Sequence, residues 1–264
     1  MMAQLINRRQ VKLASRQLLS QATVSAAAMV ALYLSLQILL NLLGSLSGRA
    51  NIPMLGTFFS ILTMFMDVVL SAGFVLYCMA IRRGEHAEYA TLFDGFSMVG
   101  KVMGLYFLET FFIAMWATLF LIPGIIAGYR YRFAIYNLLE NPDLSIFQAL
   151  ELSKRQTMGY KMQCLMLDFS YLGWLVLAAL PTYLVNLSYT MTSFGAEMPP
   201  FFLMLAEFPN EAAVLICGLW HMVVSLFYYG NLTCSDLEYF EIAKTTSGLT
   251  PFSDIPPSIP TDTF

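Results

Sequence analysis

The sequence predicts an all-α fold, a polytopic membrane helical bundle of about six transmembrane helices with further amphipathic helices on its cytoplasmic side. Three observations carry that reading. Hydrophobic residues make up 58% of the 264-residue chain and charged residues only 12%, where a soluble domain carries roughly 25% charge. Mean hydropathy is +0.65. The apolar residues also gather into runs near the roughly 20 residues that a helix needs to cross a bilayer. An ordinary soluble domain, a disordered chain and an isolated coiled coil are excluded.

The first element is a basic segment over residues 5–19, with Arg8, Arg9, Lys12 and Arg16. It precedes a charge-free stretch from Gln17 to Gly48, longer than the roughly 7–15 apolar residues of a signal peptide, which reads as a retained first span. Charge-poor runs place six spans at 20–43, 55–81, 102–122, 125–140, 162–187 and 211–234. The fourth follows Ile122-Pro123-Gly124, contains Arg130 and Arg132 and is short, so a surface or re-entrant helix competes with a full crossing there. Basic residues arbitrate, because Lys and Arg concentrate in cytoplasmic loops. Six spans put Arg82, Arg83, Lys101, Lys154, Arg155, Lys161 and Lys244 on the same side as the N-terminal cluster and leave only Arg49 outside. Removing the fourth span breaks that pattern. The expectation is a plasma-membrane protein with both termini cytoplasmic.

Between the fourth and fifth spans, Asn141-Pro142-Asp143 leads into a surface helix. Ser145 and Gln148 form its capping box, and Ile146, Ala149, Leu150, Ser153 and Thr157 line one face. Glu151 and Arg155, at i,i+4, support the helix from the other face. Residues 5–19 and 88–100 give weaker cases of the same kind. Lys101, Glu109, Trp116 and Pro123 recur in order and near-equal spacing as Lys161, Asp168, Trp174 and Pro181, which suggests a duplicated unit. Residues 1–249 form one membrane domain, and the Pro-rich stretch 250–264 reads as a disordered cytoplasmic tail. Gly100-x-x-x-Gly104 and Gly124-x-x-x-Gly128 offer small faces for close helix packing.

Charges inside spans cost about 2.5–3.5 kcal/mol each at a helix centre on insertion scales and therefore need partners. Counting about 1.5 Å per residue, Glu109 and Asp168 lie roughly 10 Å deep, and Arg130 and Arg132 roughly 12–15 Å. These four residues are expected to form a buried charged cluster joining spans three, four and five. It serves either as an ion-pair network that pins packing or as a polar site for a headgroup, ion or solute. Asp67 and His221 fall near mid-membrane, as a mutually satisfying pair or a proton- or cation-handling one.

Other chemistry is not indicated. Cys78, Cys164, Cys217 and Cys234 are scattered in apolar runs and read as packing residues, so no disulfide framework, metal site or cofactor is expected. No GxxxxGK[ST], HExxH or GxSxG motif occurs. Net charge of −3 gives no basic field for nucleic acid. The expected partners are the lipid bilayer and either another membrane protein or a second copy.

Asp94-Gly95-Phe96, Leu121-Ile122-Pro123-Gly124-Ile125-Ile126 with Tyr129 and Tyr131, Glu140-Asn141-Pro142, Ala149-Leu150-Glu151-Leu152-Ser153-Lys154, Met158-Gly159-Tyr160-Lys161 and Phe169-Ser170-Tyr171-Leu172-Gly173-Trp174 form a recognisable series. In these residues the chain resembles the bacterial domain-of-unknown-function 975 family. Phe227-Tyr228-Tyr229 meets that family's second Tyr-rich segment only approximately, and Asp168 stands where the family more often has a neutral residue. The resemblance implies a multi-pass bacterial membrane protein, distantly similar to the membrane domains of some glycerophosphodiester phosphodiesterases, and supplies no activity. The function expected is that of a non-enzymatic membrane scaffold or accessory protein. The alternative is a transporter or lipid-handling protein using the buried charges.

Overall fold

The computed structural model describes residues 5–50, 53–195 and 199–248, and these contain helices and no strand. The predicted tail at 250–264 lies outside the described residues. In chain order the elements are α1 (Arg8–Gln21), α2 (Ala26–Arg49), α3 (Pro53–Arg82), a 3-10 segment (Tyr89–Met98), α4 (Val99–Leu119), α5 (Leu121–Tyr131), α6 (Ala134–Glu140), α7 (Ile146–Gln156), α8 (Lys161–Phe169), α9 (Leu172–Ser193), α10 (Pro200–Ala206) and α11 (Asn210–Ser247). Among the described residues, five stretches are long and apolar enough to cross a membrane: Ala26–Gly48, Met54–Arg82, Tyr89–Leu119, Leu172–Ser193 and Asn210–Ser247.

The fourth expected span, 125–140, is not one helix. It is divided between α5 and α6 at Arg132 and Phe133, and neither piece could cross a bilayer alone. The pair still returns the chain along the whole length of α4. Lys101, in the first turn of α4, donates through Nζ to the carbonyls of Pro142 and Leu144, just past the end of α6. The fifth expected span is likewise divided, into α8 and α9 at Ser170 and Tyr171. The sixth continues without interruption to Ser247, well past the expected end at 234.

The core is concentrated at the basic end of the bundle. Its largest fully buried side chains include Phe74, Tyr77, Phe133, Tyr239 and Phe240, from the last half of α3, the start of α6 and the last third of α11. Phe240 stacks on Tyr136 at 5.4 Å and meets Phe133 edge-on at 5.7 Å. Toward the opposite end, Phe58, Ile61, Phe111, Leu119, Phe120, Leu121 and Ile122 are exposed. An apolar surface of that extent is compatible with a lipid surrounding.

The segments expected along the membrane surface are docked instead. α7 has the capping box, with Ser145 Oγ accepting from the Gln148 amide at 3.3 Å and Gln148 Oε1 accepting from the Ser145 amide at 2.9 Å. Its Ala149, Leu150, Ser153 and Thr157 are buried in protein rather than turned to lipid, because they meet the broken span. α1 packs on α11 and buries Val11 and Ser15, leaving Arg8, Arg9 and Arg16 exposed. Residues 89–98 wind as a 3-10 helix held hard against α3. A Cβ on Gly95 would stand 2.3 Å from the Val69 carbonyl oxygen, and one on Gly73 would stand 1.8 Å from that of Leu92. The small-residue motifs behave unequally, since a Cβ on Gly124 would stand 2.8 Å from Ala117 Cα whereas one on Gly100 would meet open space. The suggested duplication is also uneven. Pro123 opens α5, whereas Pro181 lies inside α9.

Candidate functional site

Two polar centres lie within the bundle. The first is built on Arg132, the residue at the α5–α6 break. Its Nη1 and Nη2 donate to the two oxygens of Asp168 at 2.6 and 2.7 Å, in a bidentate fork. Its Nε donates to Asp236 on α11 at 2.7 Å. Tyr129 donates to Asp168 at 2.7 Å, and Tyr136 donates to Asp236 at 3.4 Å. One guanidinium therefore ties the α5–α6 break, α8 and α11 together.

The breaks themselves are satisfied by the docked helices. At the α5–α6 break, Ser153 of α7 accepts from the Phe133 amide at 3.1 Å and donates to the Arg130 carbonyl at 3.0 Å. Beside it, Asn137 and Gln156 exchange amide hydrogen bonds of 2.7 and 3.1 Å in full burial. At the α8–α9 break, the Ser170 and Trp174 amides turn to nearer carbonyls, those of Leu167 and Tyr171. That frees the carbonyls of Met166 and Ser170, and α1 supplies Arg8 to the first and Lys12 to the second, each at 3.3 Å. Backbone interrupted at membrane depth persists only where such partners exist.

The expected four-membered cluster is thus corrected. Arg132 and Asp168 come together, but no hydrogen bond or ion pair joins Glu109 or the Arg130 side chain to a described residue. α4 is a continuous helix whose register leaves Glu109 off the Arg132 contact, and only the Arg130 carbonyl takes part. Asp236, absent from the expected set, completes the network. The clue was available in Leu237, Phe240 and Ala243, whose helical spacing carries the last span inward past 234.

The second centre is a cavity of about 810 Å³ between α2, α3, α9 and α11. Asp67 and His221 both line it, with Tyr33, Gln37, Asn41, Thr63, Thr182 and Tyr229. They do not form the expected pair. Asp67 Oδ1 accepts from the Tyr33 hydroxyl, and the described residues give His221 no hydrogen-bond partner. Gln37 Nε2 is buried with no partner. The neighbouring α9 carries Pro181, which leaves the Leu177 carbonyl without its helical donor, and Trp220 Nε1 of α11 donates to it at 2.8 Å. That bond fixes the α9 wall of the cavity against α11. Among the described residues no group of His, Cys, Asp and Glu could hold a metal ion. All four cysteines are buried free thiols, Cys217 in the cavity wall.

A family model described as "Protein of unknown function (DUF975)" matches residues 118–234. Over those residues the chain is similar to the DUF975 family. The DUF975 region runs from the end of α4 to Cys234, taking in both broken passes, α7 and His221. Asp94-Gly95-Phe96, Asp67 and Asp236 fall outside it, so each centre is assembled from residues within the DUF975 region and residues beyond it. Comparison with curated proteins and with solved structures gives no match.

Proposed function

We propose that this chain is a non-enzymatic integral protein of a bacterial plasma membrane, with its basic end cytoplasmic, that holds an amphiphilic ligand in an intramembrane cavity as a transport or lipid-handling protein. The observation that carries this reading is the 810 Å³ cavity walled by α2, α3, α9 and α11. Its volume falls in the range of roughly 300–1,000 Å³ typical of ligand sites. Apolar surface predominates in it, with a few polar groups pointing inward, as an amphiphile requires. The Arg132 network is assigned a structural role, because both carboxylates are already matched by the guanidinium and two tyrosines.

The test is direct. Protein purified in lipid nanodiscs is analysed by native mass spectrometry, and Cys217 is challenged with a small neutral thiol reagent. A retained amphiphile is expected, lost in Thr63→Trp, together with faster modification of Cys217 than of Cys78 or Cys234. An empty protein with Cys217 as inert as the other two would overturn the reading.

A second reading, a scaffold or accessory role toward another membrane protein or a second copy, draws support from the outer face of α7. Phe147 is 65% exposed there beside Arg155 and Glu151. Crosslinking from residue 147 in intact membranes would capture such a partner.

A further inference from the structure

The polar end of the cavity has a definite charge. Among the described residues its lining contains one carboxylate, Asp67, one histidine and no lysine or arginine. Asp67 is exposed to the cavity, and only one of its oxygens is engaged, by the Tyr33 hydroxyl. Around that carboxylate stand aromatic rings. Tyr33 and Tyr229 lie 5.9 Å apart between centroids, and Phe74 backs Tyr229 at 5.1 Å. A carboxylate that accepts from one tyrosine hydroxyl, with a second tyrosine ring beside it in a largely apolar chamber, attracts a large, weakly hydrated cation, to which aromatic neighbours add their own attraction. We infer that the cavity selects a lipophilic organic cation, whose charge rests between Asp67 and the Tyr33–Tyr229 pair and whose apolar body fills the remainder toward Thr63 and Cys217.

This inference rests on the cavity reading above and narrows it. Inorganic cations fit less well. Calcium takes about six to eight oxygen ligands and magnesium near-ideal octahedral geometry, whereas the cavity offers a single carboxylate in a space many times an ion's volume. An anionic amphiphile would set its charge against Asp67 with no basic residue to offset it.

Tetraphenylphosphonium and tetraphenylborate have nearly the same size and shape and opposite charge, which makes them the probes of choice. Equilibrium binding of each is measured on the full chain in nanodiscs, with empty nanodiscs subtracted, for the native protein, Asp67→Asn, Asp67→Glu and Thr63→Trp. The native protein is expected to bind the phosphonium at least tenfold more tightly than the borate. Asp67→Asn should bring the ratio close to one, Asp67→Glu should preserve most of it, and Thr63→Trp should abolish saturable binding of both. Circular dichroism and thermal unfolding verify that each variant is folded. Should Asp67→Asn fail to fold, the charge preference of the native protein and of Asp67→Glu decides the matter. Equal saturable binding of both ions, lost in Thr63→Trp, would overturn cation selection and leave the cavity reading standing. Saturable binding of neither ion, or binding indifferent to Thr63→Trp, would overturn both.

Discussion

Arg132 is the residue on which most of the polar interior depends. Its side chain retains 17% exposure, and its partners Asp168 and Asp236 retain 29% and 14%. Removing one member of a buried pair strands the other's charge, at a cost of about 3–5 kcal/mol, whereas neutralising the whole set with similar volumes is often tolerated. Arg132→Met is therefore expected to lower the thermal midpoint severely, and Arg132→Met with Asp168→Asn and Asp236→Asn to recover most of the loss. A triple variant no more stable than the single one would contradict the structural role. Glu151 provides the contrast. It is half exposed and pairs with Lys154 and Arg155 on its own helix. The Lys154 hydrogen bond is the main cause that holds its carboxyl below the ordinary value of 4.5. Its contribution is present above that pH and fades as the pH falls below it. At this exposure solvent screening keeps the contribution under about 1 kcal/mol, so Glu151→Gln should shift the midpoint little at neutral pH. The sequence located Arg132 and Asp168 by their cost in lipid. It could not choose Asp236 over Glu109, because depth counted along a helix carries no information about which way a side chain faces.

At the scale of elements, the division of labour is between long helices that cross and short ones that repair. The broken passes α5–α6 and α8–α9 are held by α7 and α1, which supply Ser153, Lys12 and Arg8 to backbone groups that the breaks release. Both docked helices were legible as helices. Their amphipathic pattern does not separate a membrane-surface face from a docked one, because a protein-facing and a lipid-facing stripe have the same periodicity. The 3-10 segment depends on contact of another kind, backbone against backbone. Gly95→Ala would drive a methyl group into the Val69 carbonyl of α3, where no side chain can yield. A loss of about 1–3 kcal/mol or more is expected on thermal unfolding. Gly100→Ala, five residues on in open space, should be neutral or slightly stabilising through its higher helix propensity. An equal effect of the two substitutions would refute the close-approach argument. The GxxxG spacing pointed to Gly100, but a spacing motif gives the face of one helix and not the neighbour that would need the space.

For the whole molecule, the decisive feature is that its two ends differ. The basic end holds a closed aromatic core and the ion pairs of Arg82 with Glu238 and of Lys244 with Glu140 and Glu241. The other end is apolar on its surface and holds the cavity between its helices. The proposed topology of six passes places the basic residues together and puts them in the cytoplasm. Reporter fusions after Gly48, His86, Asp143, Glu197 and the C-terminus should alternate accordingly, with Gly48 and Glu197 outside and His86, Asp143 and the C-terminus inside. An external Asp143 would mean that α5 and α6 do not cross.

By itself the sequence determined the all-helical, membrane-compatible character of this protein, because hydropathy is a one-dimensional property, and its Lys/Arg pattern carries the proposed orientation. Only the tertiary structure decided that the fourth and fifth passes are broken, which helices repair them, that Asp236 rather than Glu109 completes the Arg132 network, and that Asp67 and His221 face a common cavity instead of each other. Each of these depends on the rotation of one helix about its axis relative to its neighbours. That rotation is set by packing between residues 20 to 160 positions apart in the chain.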